Sequence, residues 1–201
     1  MIKIYTMCTD EIDLSDDNLY KQMSLRRIEK INALKKELSK KQSAAAELLI
    51  NKAVKTEYPG AELPLDIKES SGGKPYPADY KGLFLNAAHS LRYAMCAAAD
   101  MPVGADIQYM RDISGGMPER FFTAAETDYV RNSPNPKSAF YELWVRKESF
   151  VKAVGEGLRI ALNSFSVLDK TIEYGGSVYE IIPCDAADGY KMCVCVKRHN
   201  V

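Results

Sequence analysis

The chain has 201 residues, enough to bury a core without disulfide or metal staples and enough for one large domain or two small ones. Its 46% hydrophobic and 27% charged residues are ordinary for a soluble globular protein, and 27 basic residues balance 27 acidic ones. No global field therefore draws it to nucleic acid or a membrane surface, no apolar run approaches the ~20 residues of a membrane span, and any anionic ligand must be held by a local cluster.

Ile2 and Ile4 in Met1-Ile2-Lys3-Ile4-Tyr5 alternate as in a strand, without the charged-then-apolar layout of a signal peptide, so a cytoplasmic protein is expected. From 15 to 58 the pattern is helical: Leu25, Ile28, Ile31 and Leu34 recur at helical spacing, then Ala45, Leu48, Leu49 and Ala53. Lys21, Arg26, Arg27, Lys30, Lys35, Lys36, Lys40 and Lys41 crowd this stretch, most of them suited to a solvated helix face. Leu65 and Ile67 predict a strand, and Ser70-Ser71-Gly72-Gly73-Lys74-Pro75 a tight turn. Leu83-Phe84-Leu85 and Tyr93-Ala94-Met95-Cys96-Ala97 predict neighbouring strands joined around His89-Ser90.

After a break at Met101-Pro102, a short strand is expected to end at Asp106, followed by a polar connection over 111–118. Thr123 and Glu126 are spaced as a capping box for a helix over 123–131. Beyond Pro134 and Pro136 a longer helix is predicted over 137–154, stopping near Gly155 and Gly157. Strands follow at 165–168, 178–182 and 191–196, with turns at Gly175-Gly176 and Asp188-Gly189. The five cysteines include no Cys-x-x-Cys pair, and Cys96, Cys193 and Cys195 lie in apolar strand-like stretches. They read as buried free thiols of a reducing compartment, and a zinc site is not expected.

Each half runs from helices into strands, although no sequence repeat links the halves. The order predicts an α+β protein of two similar subdomains, residues 1–100 and 101–201, with helices packed on mainly antiparallel sheets. A cleft between them is the natural ligand site.

Chemistry concentrates on two acids. Asp106 in Val103-Gly104-Ala105-Asp106-Ile107-Gln108 lies on a strand, and Glu148 in Trp144-Val145-Arg146-Lys147-Glu148-Ser149-Phe150-Val151-Lys152 lies on a helix among lysines. Hard oxygen ligands beside cations suit Mg²⁺ on a di- or polyphosphate. Trp144, Glu148 and Lys152 stack along one side of that helix, next to a stripe of Phe140, Leu143, Lys147, Val151 and Val154. If the strand continues past Asp106, Gln108 falls on the same face and can offer an amide oxygen, a weaker ligand than a carboxylate. Each residue also has a plainer reading: Asp106 as a turn-former, Glu148–Lys152 as an i,i+4 surface pair, His89 as a structural imidazole. Gly72-Gly73-Lys74-Pro75 suits contact with a phosphate but lacks the spacing of a phosphate-binding loop, and no zinc-protease or hydrolase-elbow motif occurs.

Taken in order, Gly73-Lys74-Pro75, Asn86-x-x-His89-Ser90, Gly104-x-Asp106, Phe121-Phe122-x-x-x-Glu126 and Trp144-x-x-Lys147-Glu148-Ser149-Phe150-x-Lys152 resemble the 4′-phosphopantetheinyl transferase superfamily, in its Sfp-like branch. The resemblance is dense over 73–158 and implies a pseudo-dimer within one chain. It also implies transfer of phosphopantetheine from coenzyme A to a serine of an apo acyl or peptidyl carrier protein, with release of adenosine 3′,5′-bisphosphate. On that reading Asp106, Gln108 and Glu148 form the Mg²⁺ site, with Glu148, or a water it holds, deprotonating the serine. Lys152 and His89 serve the phosphates, and Lys74, Pro75 and Ser90 contact the nucleotide end. Glu126 would stand at the rim of the acidic site.

Two positions depart from the family pattern. Gln108 stands where a glutamate is common, and Gln42, beside Lys40 and Lys41, stands where an arginine often helps hold the 3′-phosphate, a task Arg26 or Lys30 could share. The alternative is thus a weakened member that binds coenzyme A without catalysis; a metal-dependent phosphohydrolase is a third reading. A monomer, with neither nucleic acid nor membrane as partner, is expected. The carrier's pathway (fatty acid, polyketide or nonribosomal peptide) is not written in the chain.

Overall fold

Alternation at the N-terminus yields the first strand of an antiparallel sheet in the computed structural model, which describes residues 1–69 and 75–199, with backbone alone at Glu69, Pro75 and Leu158. Contacts divide the chain into two compact units, Met1–Asp100 and Met101–Val201.

The first unit holds β1 (Ile2–Cys8), α1 (Asp17–Lys21), α2 (Leu25–Ala33), α3 (Glu37–Glu57), β2 (Ile67–Glu69), β3 (Pro75–Pro77), β4 (Phe84–Ser90) and β5 (Tyr93–Ala99). β5 lies between β1 and β4 and is antiparallel to both, while β2 and β3 pair separately. The helical stretch 15–58 is three helices, because Asp16 and Ser24 each cap a new start by accepting from the amides of Asn18 and Arg27. Ala45, Leu49 and Ala53 of α3 share a core with Ala94, Cys96 and Ala98, alternate residues on one face of β5. Buried Glu47 ties α2 to α3: it accepts from the Ser24 amide at 2.6 Å and from Arg27 Nε at 2.7 Å. The strands β4 and β5 join at Leu91-Arg92, one step beyond the expected His89-Ser90.

The second unit holds β6 (Val103–Tyr109), α4 (Met117–Phe121), α5 (Ala124–Asn132), α6 (Pro136–Val154), β7 (Thr171–Tyr174), β8 (Ser177–Cys184) and β9 (Tyr190–Lys197). The sheet order is β6-β9-β8-β7, antiparallel throughout. α5 opens on the expected Thr123–Glu126 capping box. α6 starts at Asn135, whose side chain accepts from the Ser138 amide, and ends at Gly155 in the left-handed region at φ 83°. It packs on β6 and β9.

Three expectations change here. β6 continues to Tyr109, so Asp106 is mid-strand rather than terminal. The connection over 111–118 runs into the short helix α4. The strand expected at 165–168 does not form: the Phe165 carbonyl accepts from Lys147 Nζ at 2.6 Å and the Val167 amide donates to Glu126 Oε1 at 2.8 Å. Buried side chains satisfy that backbone, and the outer strand is Thr171–Tyr174 instead. Both units set one long helix against an antiparallel sheet, the α+β class expected.

Candidate active site

Gly104, Asp106 and Gln108 are alternate residues of β6 and share one face. A side-chain carbon on Gly104 would strike the Ser149 carbonyl and the Ala153 amide, so only glycine lets β6 lie this close to α6. Two residues on, Asp106 therefore meets α6 one side chain away. Lys152 reaches it: Nζ lies 2.5 Å from Asp106 Oδ1 and 3.2 Å from the Ala105 carbonyl oxygen. On the other side, Gln108 Nε2 donates to Asp106 Oδ2 at 3.3 Å. The i,i+4 spacing suggested Lys152 as partner of Glu148; its ammonium instead pairs with the strand carboxylate.

Asp106 is 2% exposed, and this burial pushes its carboxyl above the ordinary range, opposed chiefly by Lys152. Glu148, half-buried on the stripe of Trp144 and Lys152, is also raised, first by desolvation and then by the negative charge of Asp106, with Lys152 working against both. The two carboxylates thus feel one another across the β6–α6 contact. A divalent cation fits this donor set, because it would relieve that repulsion, and Mg²⁺ commonly takes one or two carboxylates and keeps several waters. Among the described residues no group of three His, Cys, Asp or Glu could hold a metal ion, so waters, Gln108 or a ligand's oxygens would complete the shell.

Beside Glu148, Lys147 is fully buried and donates to the carbonyls of Leu162 and Phe165 while pairing with Glu126 Oε2 at 2.8 Å. Burial lowers the pKa of the Lys147 ammonium, and Glu126 counters it. Glu126 is 0% exposed: it is an internal strut from the start of α5 to α6, not a rim residue. Its burial corrects the rim position, since a carboxylate at a helix start is drawn inward when a buried lysine waits for it. The one sequence signal was Lys147 on an apolar stripe; nothing pointed from it to Glu126.

His89 and Ser90 close β4 in the first unit, opposite Ala94 and Tyr93, with His89 exposed and Ser90 partly so. Arg26 and Lys30 are exposed one turn apart on α2, whereas Arg27 between them is spent on Glu47. Gln42 Nε2 donates to the Leu91 carbonyl at 2.9 Å, a bond no sequence pattern announced. Lys74 and the Gly72-Gly73 turn lie outside the described residues, as does the Pro75 side chain.

Comparison with known proteins agrees with this reading of the motifs. The sequence model of the 4′-phosphopantetheinyl transferase superfamily matches residues 102–190, the stretch that contains Asp106 and Glu148. The 4′-phosphopantetheinyl transferase ffp of Bacillus subtilis is 30% identical, covering 98% of this chain and 93% of that protein. The 4′-phosphopantetheinyl transferase Sfp of Bacillus subtilis strain 168 is 31% identical over 74% of this chain and 70% of its own length. With similarity of this extent along nearly its whole length, the chain belongs to the 4′-phosphopantetheinyl transferase superfamily.

Proposed function

We propose that the chain moves 4′-phosphopantetheine from coenzyme A to a serine hydroxyl of an apo acyl or peptidyl carrier protein. The serine oxygen forms a bond to the β-phosphorus of the pyrophosphate as the P–O bond to the nucleotide breaks, and adenosine 3′,5′-bisphosphate leaves. The serine proton passes to Glu148 or to a water it holds. Glu148 suits a base because burial and Asp106 raise its proton affinity while Lys152 keeps the carboxylate accessible. Lys152 neutralises phosphate charge from α6, His89 hydrogen-bonds a phosphate oxygen, and Ser90, Lys74 and Pro75 contact the nucleotide end. Asp106 and Glu148, with Gln108, would hold Mg²⁺, which supplies positive charge to the pyrophosphate when bound. Positioning and electrostatics are sufficient for such a transfer, and no covalent enzyme intermediate is required.

The observation that carries this reading is the convergence of Asp106, Glu148 and Lys152 on the β6–α6 contact. Mass spectrometry of apo carriers incubated with coenzyme A and Mg²⁺ tests it, the holo form being heavier by one phosphopantetheine. Asp106→Ala and Glu148→Ala are each expected to reduce conversion at least a hundredfold while the far-ultraviolet circular dichroism stays unchanged. Full conversion by both variants would reject the assignment. A basic and apolar rim would suit a carrier with an acidic recognition helix, and the neutral total charge leaves that to local residues.

A second reading has one observation in its favour: Gln108 turns an N–H donor, not a carboxylate, toward Asp106. It describes a protein that binds coenzyme A and modifies no carrier. Calorimetric binding without conversion of any of several carriers, in Mg²⁺ or Mn²⁺, would select it.

A further inference from the structure

The hairpin that presents His89 and Ser90 turns through Leu91-Arg92, and Leu91 has φ 45°. That left-handed region suits glycine or asparagine, and a leucine held there needs support from outside the turn. Two such supports exist. Gln42 Nε2, from the middle of α3, donates to the Leu91 carbonyl at 2.9 Å, and the Thr9 amide donates to the Arg92 carbonyl at 2.7 Å. An ion pair between Arg92 and Asp10 lies alongside. Both turn carbonyls are therefore fixed from the body of the first unit, one by the backbone and one by a single side chain.

From this geometry we infer that Gln42 is a positioning residue: by holding the Leu91 carbonyl it sets the end of β4 and so aims His89 at a phosphate of coenzyme A and Ser90 at its nucleotide end. The inference rests on the proposed reading, in which His89 and Ser90 make those contacts. It gives Gln42 a role different from the arginine that the family resemblance leads one to expect at this position. An arginine there would meet phosphate with its own charge, whereas the neutral amide acts through the hairpin.

Calorimetry with coenzyme A and amide hydrogen exchange across 89–93, on the 201-residue chain, test this. Gln42→Met keeps the length of the side chain and removes the donor. It is expected to weaken coenzyme A about fivefold, the worth of one hydrogen bond, and to speed exchange in the hairpin while α3 stays protected. In a His89→Ala, Ser90→Ala background the same substitution should cost less than twofold, because the groups it aims are gone. Leu91→Asn, which takes the left-handed conformation unaided, should restore most of the affinity lost by Gln42→Met. An undiminished loss in the His89→Ala, Ser90→Ala background would show direct contact with the ligand and overturn the inference, as would unchanged affinity with a loosened hairpin. Wild-type protein that binds no coenzyme A would end the underlying functional reading as well, a result separable from the other two.

Discussion

Asp106, assigned to the proposed metal site, is a single carboxylate buried at a cost to the fold. Its burial raises its proton affinity, so in the window above the ordinary carboxylate pKa and below the raised one the native state holds a proton that the unfolded state has lost. Charging Asp106 as pH climbs through that window therefore removes stability, and Lys152 offsets only part of the loss. Asp106→Asn keeps the shape without the charge, and Lys152 at 30% side-chain exposure can turn to solvent. The variant is expected to melt at the same temperature as the wild type or a few degrees higher at pH 7, with carrier conversion lost. A melting temperature lowered by more than about 4 °C, roughly 1 kcal/mol, would mean that the Lys152 pair stabilises the fold outright. Sequence spacing identified Asp106, Glu148 and Lys152 as chemically interesting, but it paired Lys152 with Glu148. The strand's approach to the helix reassigns it, and Gly104 is the residue that permits the approach.

At the scale of elements, α6 carries two kinds of polar residue on neighbouring stripes. Trp144, Glu148 and Lys152 lie on the half-exposed stripe, while Lys147 lies between Leu143 and Val151 in the core. The buried Lys147–Glu126 pair joins α6 to the cap of α5 and, through the carbonyls of Leu162 and Phe165, to the segment before β7. It thereby fixes the turn of helix next to Glu148. Lys147→Met leaves the Glu126 charge in the core without its counter-ion and is expected to cost about 3–5 kcal/mol in urea unfolding. Replacing both partners, Lys147→Met with Glu126→Leu, should cost less than the sum of the two single changes, since no buried charge remains. Additive losses would show that the two side chains act independently. The helices α5 and α6 were legible because caps, prolines and Gly155 mark their ends. The false strand at 165–168 had the right composition, but its hydrogen bonds are taken by Lys147 and Glu126, which sequence spacing does not couple to it.

Across the whole molecule, each unit buries its own core, and the cysteines divide accordingly. Cys96, Cys193 and Cys195 are buried and Cys8 and Cys184 partly exposed, all five as free thiols. Burial pushes the thiols of Cys96 and Cys193 up to about 12, so neither forms appreciable thiolate at pH 8. Iodoacetamide on the native protein is expected to label Cys8 and Cys184 first, and all five only after denaturation, as read by peptide mass spectrometry. Rapid native labelling of Cys96 or Cys193 would contradict the burial described here. Periodicity and residue type alone determined the α+β class, most of the strands, the capped helices α5 and α6, the apolar thiols and the acids and lysine suited to phosphate chemistry, because these depend on neighbours within a few positions. Only tertiary structure decided that Lys152 meets Asp106, that Glu126 lies inside against Lys147, and that Gln42 holds the Leu91 turn. Those contacts join residues 46, 21 and 49 positions apart, and over such separations packing rather than local pattern chooses the partner.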